Sequence, residues 1–200
     1  MSDLASTSDE QLARDSQAGC LKAFEELVYR YERRIYGFVA QFCGAVDATE
    51  ITQDAFVRAF QAIHQFDSRQ PFAPWLFTIA RRKCADHFRT APPWDDRELP
   101  ELPDENDPAE LLARQEEKDN LWALARCRLP RAQFEALWLR YAEEMSVAEI
   151  ARVVRKTRTH VKVLLFRARQ SLRRELKPQP AAAKQKLFPE RIYEKLACKI

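Results

Sequence analysis

Glycine is almost missing from this chain, with three in 200 residues, and no Asn-Gly, Asp-Gly or Gly-Gly pair occurs. Those pairs supply the positive φ angles that tight hairpins need, so a fold of many antiparallel strands is excluded. Three isolated glycines also cannot build a phosphate-cradling loop. The three histidines stand far apart, no His-Glu-x-x-His occurs, and no credible nucleophile with a base partner is found. An enzyme is therefore the least favoured class, and no cofactor and no small-molecule substrate are expected. The five cysteines (Cys20, Cys43, Cys84, Cys127, Cys198) are odd in number, and no two have zinc-ligand spacing. They read as small apolar fillers in a reducing compartment. Met1 to Gln11 is polar and acidic, and no apolar run approaches a membrane span, so the expected location is cytoplasmic.

What is present favours helix. Hydrophobic residues make up 46% of the chain, and Ala, Leu, Arg, Glu and Gln are abundant. From Leu21, residues Phe24, Leu27, Val28, Tyr31, Ile35, Phe38, Val39 and Phe42 recur at helical spacing, with Gly44 as a stop. A second helix is predicted over about Asp47–Gln65, with Ile51, Ala55, Ala59, Phe60 and Ile63 inward. A third runs from Phe72 or Pro74 to Arg89, with Leu76, Ala80, Cys84 and Phe88 inward.

Charge is unevenly distributed. Ala91 to Glu110 carries eight acids and one base, and Thr90 to Pro108 holds five of the eleven prolines. Proline and like charge both oppose packing, so this stretch reads as a linker. Ala151 to Lys177 carries ten bases and one acid, the footprint of a nucleic-acid-binding face. A helix over about Ala109–Leu129 is followed by one beginning at Pro130 that carries Phe134, Leu137, Trp138 and Tyr141. Ser146 and Glu149 form a capping box that opens a short helix. A longer helix over about Thr157–Leu176 buries Val161, Leu164, Leu165, Ala168 and Leu172. A short helix, a tight turn and a longer basic helix are the outline of a helix-turn-helix, a unit that serves repressors, recombinases and sigma factors alike. The expected fold is all-α: two small helical domains joined by an acidic, Pro-rich linker, the C-terminal one a helix-turn-helix. Residues 1–20 form an N-terminal segment, 21–90 the first domain, 91–110 the linker, 111–177 the second domain and 178–200 a C-terminal extension.

Between Gln65 and Trp75, Phe66, Phe72 and Trp75 lie close to Arg69 and Gln70, ahead of the basic run Arg81-Arg82-Lys83. Aromatics beside bases can hold an unstacked nucleobase against a charged backbone, although each aromatic taken singly is more often core mass.

Several stretches together resemble the extracytoplasmic-function sigma factors of the sigma-70 family. Ala23-Phe24-Glu25-Glu26-Leu27 through Tyr31 resembles the opening of that family's promoter-melting domain. Ala48 to Phe56 is similar to its acidic segment, Pro74-Trp75-Leu76-Phe77-Thr78-Ile79-Ala80-Arg81 to its Trp-Leu-x-x-Ile-Ala-Arg signature, and Asp86-His87-Phe88-Arg89 to its Asp-x-x-Arg end. Leu129-Pro130 through Tyr141, Ser146 to Ala151, and Val161-Lys162 through Phe166-Arg167-Ala168-Arg169 resemble its second domain. Arg82 stands where the family usually has Asn, Ile51 where it has Asp, and Arg155-Lys156-Thr157-Arg158 where the turn usually holds glycine.

The resemblance implies a factor that binds core RNA polymerase, through its beta and beta-prime subunits, and directs promoter-specific initiation in a stress or envelope response. It implies that Glu50, Gln53, Asp54, Phe56, Val57 and Arg58 dock on the polymerase. The loop His64, Phe66, Asp67, Ser68, Arg69, Gln70 and Phe72 would capture a base flipped from the −10 element. Trp75, Arg81, Arg82, Lys83, Asp86 and Arg89 would lie along the melting duplex. Thr157, Arg158, Thr159, His160, Lys162, Val163, Phe166, Arg167 and Arg169 would read the −35 element in duplex form. The linker would thread toward the RNA exit path. An anti-sigma partner, if one exists, would clamp the two domains. A conventional helix-turn-helix regulator and a degenerate sigma-like polymerase-binding protein stand as alternatives.

Overall fold

A computed structural model describes residues 4–90 and 121–176, with backbone alone at 45, 46 and 88–90. The linker over 91–110, the start of the helix expected from Ala109 and the extension over 178–200 lie outside the described residues. Within the described residues every regular element is helical. They form two compact units: 4–90 together with 139–158, and 121–138 together with 159–176.

The first unit opens with a helix that periodicity alone does not reveal. Helix α1 (Asp9–Gln17) is capped by Ser8, whose hydroxyl accepts from the Gln11 N–H at 3.3 Å. Asp9 and Glu10 lie in its first turn, where the helix dipole favours carboxylates. It buries Leu12 and Ala13 against α2 (Leu21–Ala40). Arg30 of α2 fixes this N-terminal layer. Its guanidinium donates to Asp9 Oδ1 (2.7 Å), Glu26 Oε1 (2.7 Å) and the carbonyls of Leu4, Ala5 and Thr7. Tyr31 donates its hydroxyl to the other oxygen of Asp9. Burial, with that bond second, holds the Tyr31 phenol protonated well above its usual range.

Helix α3 (Ala45–Ala62) runs into a single 3-10 turn, Ile63–Gln65, and α4 (Phe72–Thr90) follows the loop. Helices α2 and α4 meet on aromatic edges: Phe38 touches Phe42, just past the end of α2, at 5.2 Å and Phe77 of α4 at 5.3 Å between ring centroids, and both Phe38 and Phe77 are fully buried. The expected inward residues of α2 are buried, save Val28 at intermediate exposure. Phe60 departs from expectation. It turns its edge to Phe24 at 5.0 Å but stays half exposed, because the α3 face that meets the core is completed by Ala55, Ala59 and Ile63.

In the second unit, residues 121–128 are helical and an aromatic cluster joins Trp122 to Trp138 (4.7 Å) and Phe134 (6.1 Å). Helix α5 (Arg131–Tyr141) starts behind Pro130, a residue that costs little in a first turn. Tyr141 is exposed at the helix end. Helix α6 (Val147–Val154) has both bonds of the capping box: Ser146 N–H to Glu149 Oε2 (2.7 Å) and Glu149 N–H to Ser146 Oγ (3.3 Å). Helix α7 (Arg158–Leu176) buries Val161, Leu165, Ala168, Leu172 and Leu176, with Leu164 only partly covered.

The turn after α6 shows how the chain manages without glycine. Arg155 adopts the left-handed conformation (φ 53, ψ 49), and its N–H reaches the Arg152 carbonyl at 3.2 Å while Lys156 N–H reaches that of Ala151 at 3.0 Å. This is the pattern that usually ends a helix on glycine. A side chain held there is strained, so Arg155→Gly is expected to stabilise the protein by about 1 kcal/mol. A rise in the urea midpoint checks it, and Arg155→Val should move the midpoint the other way.

Candidate nucleic-acid interface

The expected polymerase-docking residues lie on α3. Helical spacing places Glu50, Gln53, Asp54 and Val57 on one stripe; all four are exposed, as is Arg58, and Val57 exposes 56% of its surface. Phe56 is a correction, because its position on α3 turns it into the core with 8% exposure. Asp54 is joined to α4 by Lys83 at 2.9 Å, a pairing that sequence spacing does not reveal.

The loop after α3 exposes His64, Asp67, Arg69 and Gln70 and half-covers Ser68. Phe66 and Phe72, grouped with it in sequence, are buried (5% and 1%) and touch each other at 5.4 Å, so their direct role is packing. Trp75 stacks against both at 5.2 and 5.5 Å yet keeps a partly open face. The two buried rings therefore form a platform that holds Trp75 in place.

Asp67 shapes the loop tip. Its carboxylate accepts from the Arg69 backbone N–H (3.1 Å), from Nε (2.9 Å) and from Nη2 (3.1 Å), while Gln70 N–H closes a turn onto the Asp67 carbonyl. The Arg69 guanidinium, then its backbone N–H, hold the Asp67 carboxyl below its ordinary value. A depressed carboxyl keeps this pairing throughout the range above the ordinary carboxylate pKa and loses it as pH falls through the lower, folded value. An NMR titration of Asp67 should therefore show a midpoint below that measured in an Arg69→Gln variant.

Next to the loop, a cleft of about 500 Å³ is lined by Arg58, Gln65, Trp75, Arg82, Lys83 and Asp86, among others. The structure thus collects one partly open indole, four cations (Arg58, Arg82, Lys83 and Arg155), a carboxamide and the Asp86 carboxylate, and the indole and cations are a combination that stacks a base and holds a phosphate. Arg81 is half-covered on the same helix, and the Arg89 side chain lies among those not described. On α7, Arg158, Thr159, His160, Lys162, Val163, Phe166 and Arg167 are exposed, Arg169 is partly covered with its Nε on the Leu165 carbonyl, and Thr157 is exposed just before the helix. Hydroxyls at the start, an exposed Phe166 in the middle and cations along the length suit groove reading with phosphate anchoring.

Two residues that hold the loop escaped sequence reading. Gln17 of α1 donates to the carbonyls of Ile63 (2.8 Å) and Phe66 (2.7 Å), and Glu10 accepts from the Phe72 N–H (3.2 Å). A capping signature, Ser8 followed three residues later by Gln11, was the available sign that a helix begins there.

Comparison with known proteins gives the same order of parts. Residues 27–91 match Sigma-70 region 2 and residues 125–172 match Sigma-70, region 4. The RNA polymerase sigma-H factor of Pseudomonas aeruginosa is 30% identical over 188 residues, covering 88% of this chain and 97% of the relative. The ECF RNA polymerase sigma factor BldN of Streptomyces coelicolor is 32% identical, over 83% of this chain and 65% of the relative. Among solved structures, CnrH in complex with the cytosolic domain of CnrY aligns with a TM-score of 0.63 at 26% identity, over 84% of this chain and 96% of that one. With a relative of this identity matched almost end to end, the chain belongs to the RNA polymerase sigma factors of the sigma-70 family, in the extracytoplasmic-function group.

Proposed function

We propose that this sigma factor divides promoter recognition among three surfaces. The α3 stripe of Glu50, Gln53, Asp54 and Val57 docks on core RNA polymerase. The loop over His64–Gln70 and the cleft of Trp75, Arg82 and Lys83 take the −10 element as a melted strand, with an extruded base at the loop. Helix α7 reads the −35 element as duplex through the major groove. One observation supports the reading above others: the loop, the open indole of Trp75 and the cations of the cleft lie together, directly beside the docking stripe on α3. The acidic linker serves the RNA exit path, where its carboxylates mimic nucleic acid. The protein carries out no chemistry itself; its work is binding and strand separation within the polymerase, in the service of a stress or envelope response. No helix among the described residues is long and apolar enough to cross a membrane.

An anti-sigma protein that clamps the two regions is the proposed regulator. The support is that the similar CnrH was solved in complex with the cytosolic domain of CnrY.

Run-off transcription with bacterial core polymerase on fragmented DNA of the source genome tests this. Transcripts with fixed starts that require the protein, with shared −10 and −35 sequences upstream, are expected. Binding to core without any transcript would favour a degenerate sigma-like subunit, and no binding to core would return the chain to the conventional regulators.

A further inference from the structure

Helix α1 lies outside both matched regions, yet its side chains bind backbone groups at both ends of the proposed −10 loop. A helix leaves carbonyls unpaired where it ends and N–H groups unpaired where it begins. Where α3 ends, the carbonyls of Ile63 and Phe66 flank the start of the loop, and both accept from the single carboxamide of Gln17, Ile63 accepting from the Phe66 N–H (3.0 Å) as well. Where α4 begins, the residue before it is Pro71, whose side chain cannot cap; the Phe72 N–H donates to Glu10 instead. A carboxylate at that position also meets the positive end of the α4 dipole. Between these two points lies the Asp67–Gln70 turn with nothing else regular in it.

We propose that Gln17 and Glu10 are positioning residues for −10 recognition: α1 sets the span and tilt of the loop and thereby the fit of the extruded base. This rests on the assignment of that loop to the −10 element. The anchoring of α1 is separate from this brace, since Arg30 and Tyr31 hold it through Asp9 and through the carbonyls of Leu4, Ala5 and Thr7. Gln17 and Glu10 can therefore be altered while α1 stays in place.

The test uses the full chain bound to core polymerase. Its −10 sequence, taken from aligned run-off starts, is offered as a single-stranded oligonucleotide beside a scrambled one of equal length. Gln17→Leu and Glu10→Leu are each expected to lower discrimination between the two oligonucleotides by about tenfold, the size of a lost pair of oriented contacts. Affinity for core should stay within about twofold, because the α3 stripe is untouched. Glu10→Gln, which can still accept from Phe72, should retain discrimination.

If wild type discriminates and Gln17→Leu discriminates equally, the brace is refuted while the loop assignment stands. If wild type itself does not discriminate, both fall together. Should the variants lose core binding, thermal stability and discrimination in step, and Glu10→Gln not rescue, the contacts are merely structural and the proposal is overturned.

Discussion

Val57→Glu is expected to weaken binding to core RNA polymerase by about 30-fold, or about 2 kcal/mol, the scale of a residue central to an interface. Val57 is the one large apolar side chain in the exposed stripe of Glu50, Gln53, Asp54 and Val57. A carboxylate in its place must be desolvated on docking, and it adds a third acid to a surface that already holds Glu50 and Asp54. The folded protein should be indifferent, since the position is open to water. Fluorescence anisotropy of labelled protein against core, paired with a thermal melt, separates the two effects. Loss of affinity with an unchanged melt supports the docking stripe; an unchanged affinity would place the polymerase contact elsewhere.

Phe38→Ala should have the largest effect on stability. The ring is completely buried and makes edge contacts with Phe42, in the turn after α2, and Phe77 on α4. Removing it leaves a cavity that the surrounding helices cannot fully close, at a loss of about 3–5 kcal/mol. Domains of this size hold only about 5–15 kcal/mol in total, so the variant should be close to unfolding at room temperature. Urea titration followed by circular dichroism reads the shift. Phe38→Leu, which refills most of the volume, should recover the greater part of it.

Much of the architecture was legible because apolar spacing and a few signals agreed. The long stripe from Phe24 to Phe42 became α2, and Ser146 with Glu149 became a capping box with both bonds made. Where spacing was silent, sequence reading missed. The polar segment ahead of Leu21 buries only Leu12, Ala13 and Ser16 on α1, too few to announce a helix; it is held by Arg30 from a distance in sequence. The aromatics near the loop divided according to packing that no local pattern encodes. Phe66 and Phe72 went into the core, and Trp75 rests on them half exposed. In the same way, helical periodicity placed Phe60 inward and the family resemblance placed Phe56 on the docking face, whereas the structure buries Phe56 and opens Phe60. A single helical face spans about a hundred degrees, and residues at its rim fall to either side according to what lies opposite.

The doubly bonded Asp67–Arg69 pair has a consequence for how the protein searches DNA. A cation that meets a phosphate releases a counterion, and that release drives sequence-independent attraction. Arg69 carries its counterion within the loop, already bound by two guanidinium bonds and a backbone one. While that pair holds, Asp67 offsets part of the Arg69 charge that a phosphate would otherwise meet, although the Arg69 side chain is itself open to solvent. Asp67→Asn would remove this internal neutralisation. The slope of log affinity against log salt should steepen by about 0.7, the increment for one phosphate of single-stranded DNA. Cognate and unrelated sequences should gain affinity together. Under the proposed −10 role, a loop that partly neutralises itself gives up some general attraction to DNA and keeps its cation for the strand that fits.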